Sequence, residues 1–119
     1  MLSTLKPITG LTPSSTTPPD LALLIGPGDP VSKCYDNGTD IMAFTDSRLV
    51  IAQSYRGKRS VTSIPFTNLL AVTMRLDKRG KHEGIAFTDL SGAVLEAAFA
   101  EASDRQDVYY LVYDGLAIR

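Results

Sequence analysis

The chain has 119 residues and a net charge of -1, and 44% of its residues are apolar while 21% are charged. This length and balance suit one globular domain with a single core, and a nearly neutral chain has no overall attraction for nucleic acid or anionic lipid. Because Cys34 is the only cysteine and no apolar run reaches 18 residues, the sequence excludes an internal disulfide and predicts no membrane-spanning helix. We therefore expect a cytoplasmic protein whose partners include neither nucleic acid nor a membrane.

The first 20 residues are rich in proline, serine and threonine. We therefore predict an N-terminal arm or linker over residues 1–20 and a folded domain over residues 21–119. A disordered tail and an arm that docks on a neighbouring subunit both fit this composition. Apolar residues that would supply the contacts of a docking arm recur every three positions, at Leu2, Leu5, Ile8 and Leu11.

Short strands separated by turns follow in the rest of the chain. Residues 21–25 form an apolar run that suits either one helical turn or a strand, and the Asn37-Gly38 pair is a strong hairpin signal. Residues 93–99 suit a seventh strand, but they are rich in alanine, so a helix there is an open alternative. We predict six other strands, at residues 31–35, 41–45, 48–53, 60–64, 70–77 and 82–88.

The second and third predicted strands form a hairpin with a clear register. Folding them about a tight turn at Asp46-Ser47 places Phe44 opposite Leu49 and Met42 opposite Ile51. These four large apolar side chains then share one face, which is the cross-strand pattern that stabilises a sheet. We therefore predict that this face lies in the core.

The final predicted element is an amphipathic helix that begins near Ser103. Ser103 and Gln106 have the spacing of a capping box, in which two side chains satisfy free N–H groups at a helix start. The residues that follow with the spacing of a one-sided helix are Val108, Leu111, Val112, Gly115 and Leu116. A helix with a single apolar stripe must cover another layer, so we predict that it covers the strands.

This order of elements resembles the small bacterial version of the pleckstrin-homology-like fold. The resemblance implies a mainly β (α+β) architecture, a bent seven-stranded antiparallel barrel capped by one C-terminal helix. It further implies no catalytic residues and no cofactor, and a binding module that is often a homo-oligomer. The residues that carry the resemblance are Gly28-Asp29, Thr45, Arg48, Leu49, Ile64-Pro65-Phe66, Leu69 and Phe99.

Few residues point to a chemical site. One histidine, His82, and one cysteine, Cys34, cannot form a two-histidine or cysteine-rich metal site, so we expect no metal. Two basic turns are candidates for binding a phosphate or an acidic partner, but the simpler explanation is that they are solvated hairpin tips whose charges protect the strand edges. Their cationic residues are Arg56, Lys58 and Arg59 in one turn and Lys78, Arg79 and Lys81 in the other.

The leading hypothesis is a non-catalytic, self-associating binding module. Tyr109, Tyr110 and Tyr113 lie on more than one side of the predicted helix, and tyrosine is favoured at interfaces because a large ring carries a polar tip. With Leu5, Ile8 and Leu11 they form the candidate interface of a closed homo-oligomer. Two alternatives stay open: an anionic-ligand or lipid-headgroup binder that uses the basic turns, and a phage- or bacteria-encoded inhibitor or adaptor that docks on a larger complex.

Overall fold

The computed structural model describes residues 5–118, with the exception of 16, 19–20, 22–23, 27, 77 and 80–81. The chain forms one sheet and a C-terminal helix, with a 3-10 turn at Phe66–Asn68. The predicted residues Leu2 and Lys81 lie outside the described part. The strands are β1 (Ile8–Pro13), β2 (Lys33–Asp36), β3 (Ile41–Phe44), β4 (Arg48–Tyr55), β5 (Lys58–Pro65), β6 (Leu69–Leu76), β7 (His82–Asp89) and β8 (Val94–Phe99), and the helix is α1 (Ala102–Ile118).

The eight strands follow the order β5-β4-β3-β2-β1-β8-β7-β6. All neighbours are antiparallel except β1 and β8, which are parallel. The seven predicted strands are present, and residues 93–99, for which a helix was the alternative, form strand β8. The count of seven needs correction, because residues 8–13 of the predicted arm add β1 between β2 and β8.

The main core lies inside the curl of the sheet. Phe44 pairs with Leu49 and Met42 with Ile51, as the sequence predicts, and all four side chains are fully buried. Tyr35 joins them with an edge-on contact to Phe44, at 6.2 Å between ring centroids. The predicted register of this hairpin is therefore confirmed.

The opposite face of the same hairpin is also buried. Leu21 and Ile25, from the segment before β2, pack over Ala43 and Val50, and Cys34 lies in the same cluster. Burial raises the pKa of the Cys34 thiol, which disfavours its nucleophilic thiolate form. The β3–β4 hairpin is therefore sandwiched between two apolar layers.

Helix α1 covers the remaining side of the main core. Val108 and Val112 are fully buried, while Leu111 and Leu116 pack against the core from its margin. The helix begins at Ala102, one residue before the predicted cap Ser103. None of the helices in the described residues is long and apolar enough to cross a membrane.

Candidate functional site

A recessed, largely apolar surface lies between strand β6 and helix α1. It is a groove of about 360 Å³, called here the β6–α1 groove. Strand β6 is the last strand of the sheet, and no strand of the described residues pairs with its outer edge. The groove therefore combines an apolar surface with unpaired backbone donors and acceptors. Its lining residues are Leu70, Ala71, Val72, Tyr109, Tyr113 and Leu116.

A bulge at the start of β6 turns an apolar side chain toward the outside. Leu69 pairs with Asp89 and Ala71 with Thr88, so Leu70 is an extra residue in the ladder. Such a residue is unpaired and bends the strand locally. Leu70 is 57% exposed, whereas Leu69 next to it is fully buried.

The helix side of the groove is built from aromatic rings. Tyr109 and Tyr113 are one helical turn apart, and their rings stack with centroids 6.3 Å apart at an interplanar angle of 7°. Tyr110 meets Tyr109 edge-on at 5.7 Å. Tyr110 and Tyr113 are both more than half exposed. The three predicted interface tyrosines thus lie in contact with one another on α1, where Tyr109 also packs against the main core. Their role in association stays a prediction.

The N-terminal candidates for the interface lie elsewhere. Ile8 and Leu11 are buried in the core of their own chain, because β1 pairs on both sides within the sheet. Leu5 packs against the same core from its margin. Gln53 holds the neighbouring backbone in place, since Lys6 N–H donates to its Oε1 at 3.1 Å and its Nε2 donates to the Lys6 carbonyl at 2.9 Å. Ile8 and Leu11 therefore have no apolar surface left for a neighbour, contrary to the prediction of a docking arm.

The two basic turns belong to different hairpins, β4–β5 and β6–β7. In the first, the Arg59 guanidinium donates to the Thr39 carbonyl at 3.1 Å and to Ser54 Oγ at 2.9 Å. The Arg56 guanidinium lies 5.1 Å from the centre of the Tyr55 ring. Lys58 is exposed, as are Lys78 and Arg79 in the second turn, and Lys81 lies outside the described residues. Anion binding by these turns stays a prediction.

Three of the residues that carry the resemblance, Asp29, Thr45 and Arg48, meet at one junction of the structure. The Asp29 carboxylate oxygen Oδ2 accepts hydrogen bonds from Thr45 Oγ1 at 2.8 Å, Ser47 Oγ at 2.9 Å and Arg48 Nε at 3.0 Å. Arg48 also donates to the Ile25 carbonyl at 2.6 Å. This junction ties the segment that carries Ile25 to the β3–β4 turn, so it holds the outer apolar layer in place.

The charge at this junction is stabilised by its donors. Burial opposes ionisation of the Asp29 carboxyl, but the hydrogen bonds from Thr45, Ser47 and Arg48 outweigh that effect and lower its pKa. The three donors of the same chain therefore hold the ionised form of Asp29 at this junction. Among the described residues, no group of three His, Cys, Asp or Glu side chains is placed to hold a metal ion.

Comparison with known proteins identifies the fold. No family model matches the chain, and no curated protein sequence matches it. Among solved structures it is similar to a DUF1696 family protein with a pleckstrin-homology domain from Shewanella loihica PV-4, known from a crystal structure at 2.00 Å resolution. The TM-score is 0.66 at 15% identity, over 91% of this chain and 98% of the other. This likeness confirms the pleckstrin-homology-like fold, mainly β with one C-terminal helix.

Proposed function

We propose that this protein is a non-catalytic, pleckstrin-homology-like binding module that associates with itself through the β6–α1 groove and mediates protein–protein interaction. The observation that carries the proposal is an apolar groove beside an unpaired strand edge. Leu70 and Tyr113 line it and are 57% and 54% exposed. Large apolar side chains that are exposed together mark interaction sites on soluble proteins.

The test is the mass of the protein in solution, measured by light scattering at micromolar concentration. One chain has a mass of 12.8 kDa, and we expect at least twice that value. Leu70→Ser should shift the mass toward one chain. Leu90→Ser is the matched control, because Leu90 is 59% exposed but lies in the β7–β8 turn. A mass of one chain across the concentration range, or equal effects of the two variants, would contradict the proposal.

A further inference from the structure

We propose that two copies of this chain join their β6 strands edge to edge, antiparallel, about a two-fold axis that passes beside Thr73. The inference rests on the proposed self-association and identifies its surface and symmetry. An antiparallel pair of identical strands has a two-fold axis, so each residue before the axis meets a residue after it. The complex would be a symmetric dimer in which one sheet continues into the next.

The sequence of β6 is complementary to itself in this register. With Thr73 opposite Thr73, Val72 lies opposite Met74, and this contact occurs twice because of the symmetry. Leu70 and Leu76 are the exposed leucines of the strand, at 57% and 53%. Directly opposite apolar side chains on paired strands stabilise a sheet. The two irregularities of the β6–β7 ladder, at Leu70 and between Arg75 and Leu76, lie outside the five central positions 71–75.

The charge within the strand is compatible with this pairing. The register places Arg75 opposite the small Ala71, so the two arginines of the dimer do not face each other. The Arg75 guanidinium is also held on its own sheet, where Nε lies 2.6 Å from the Glu96 carboxylate. Like charges placed directly opposite would destabilise the pair, and this register avoids them.

The other free edge of the sheet has features that discourage pairing. Strand β5 begins with Lys58 and Arg59 and ends with Pro65. Lysine and proline on an edge strand oppose the addition of another strand, because one brings charge and the other lacks an N–H group. Strand β6 has only Arg75 as a charged residue and no proline. We therefore assign the association to β6 rather than β5.

The first experiment places a cysteine on the proposed axis. In a Cys34→Ala background, Thr73→Cys puts two thiols directly opposite each other, within the Cα separation of 4.4–6.8 Å that a disulfide requires. We expect mild oxidation to convert most of this variant to a covalent dimer on non-reducing electrophoresis. Ala71→Cys in the same background is the control. Its two thiols would be separated by four residues along the paired strands, roughly 13 Å, and should not cross-link.

The outcomes separate this inference from the proposed function. If light scattering shows a dimer but Thr73→Cys does not cross-link, or cross-links no better than Ala71→Cys, self-association stands and the β6 pairing is overturned. If the unmodified protein has the mass of one chain, both are overturned. Selective cross-linking of Thr73→Cys together with a dimeric mass supports both.

Discussion

The β3–β4 hairpin and strand β6 are made of similar apolar residues but have different surroundings. Leu49 of the hairpin is fully buried, because the main core covers one face and Leu21 and Ile25 cover the other. Leu70 of β6 is more than half exposed. Strand β6 lies at the edge of the sheet, and Leu70 is the extra residue of a bulge near its start. The same residue type is therefore a source of stability in one region and a candidate for binding in the other.

The largest effect should come from truncating the hairpin core. Phe44→Ala should lower the free energy of unfolding by about 3–5 kcal/mol, because it removes a fully buried ring from a packed core. Chemical denaturation measures this change.

The matched pair Leu49→Ala and Leu70→Ala tests the comparison directly. We expect a loss of about 2–5 kcal/mol in the free energy of unfolding for the buried leucine and about 0.5 kcal/mol for the exposed one. Equal losses for the two leucines would contradict the distinction between the regions.

A smaller effect is expected where α1 meets the start of β6. A Cβ atom on Gly115 would lie 2.5 Å from Cδ2 of the buried Phe66 ring. Gly115→Ala should therefore destabilise the fold by about 1–3 kcal/mol through overpacking, although alanine favours a helix by about 1 kcal/mol over glycine. Combining it with Phe66→Leu should recover part of the loss, and thermal unfolding distinguishes the variants. A gain in stability for Gly115→Ala alone would show that the helix does not press on this turn.

The last effect concerns the outer layer of the hairpin and is smaller than the loss expected from truncating its core. Asp29→Asn should cost about 1–2 kcal/mol at pH 7, the difference between charged and neutral hydrogen bonds. The folded pKa of Asp29 lies below its unfolded value of about 3.9. Its contribution is therefore complete above that pH and is lost as the pH falls through the folded pKa.

The measurement is the free energy of unfolding of both proteins between pH 7 and pH 2. The difference between Asp29→Asn and the unmodified protein should shrink below about pH 4. Asp46→Asn is the control, because Asp46 lies in the same turn and accepts one exposed hydrogen bond from Ser32 Oγ at 3.2 Å. A pH-independent difference for Asp29→Asn would mean that the charge of Asp29 does not contribute.

Local patterns predicted most of the fold. Alternation in the β3–β4 hairpin fixed its register, since a one-residue slip would move Phe44 and Leu49 to the opposite face. The helical stripe likewise identified Val108 and Val112 as buried residues. The hairpin register and the helical stripe can be recognised because the residues that form each pattern are close together in the sequence.

The sequence did not reveal β1 because its partners are distant in sequence. Residues 8–13 contain Gly10, which has a φ of +68°, and end in Pro13, and both residues are typical of turns. Pairing with β8 provides the missing stabilisation, and it buries Ile8 and Leu11. The β6–α1 groove was hidden for a similar reason. The helical tyrosines could be noticed, but the strand that faces them lies about forty residues earlier.

The parallel pairing of β1 with β8 has a consequence for synthesis of the chain. Strand β1 leaves the ribosome before the other seven strands, and β8 is the last of them to be made. Strands β2 to β5 are neighbours in sequence and can pair as they emerge, because short loops close quickly. Ile8 and Leu11 must wait for β8, and a nascent chain that stalls before Val94 would present both to chaperones.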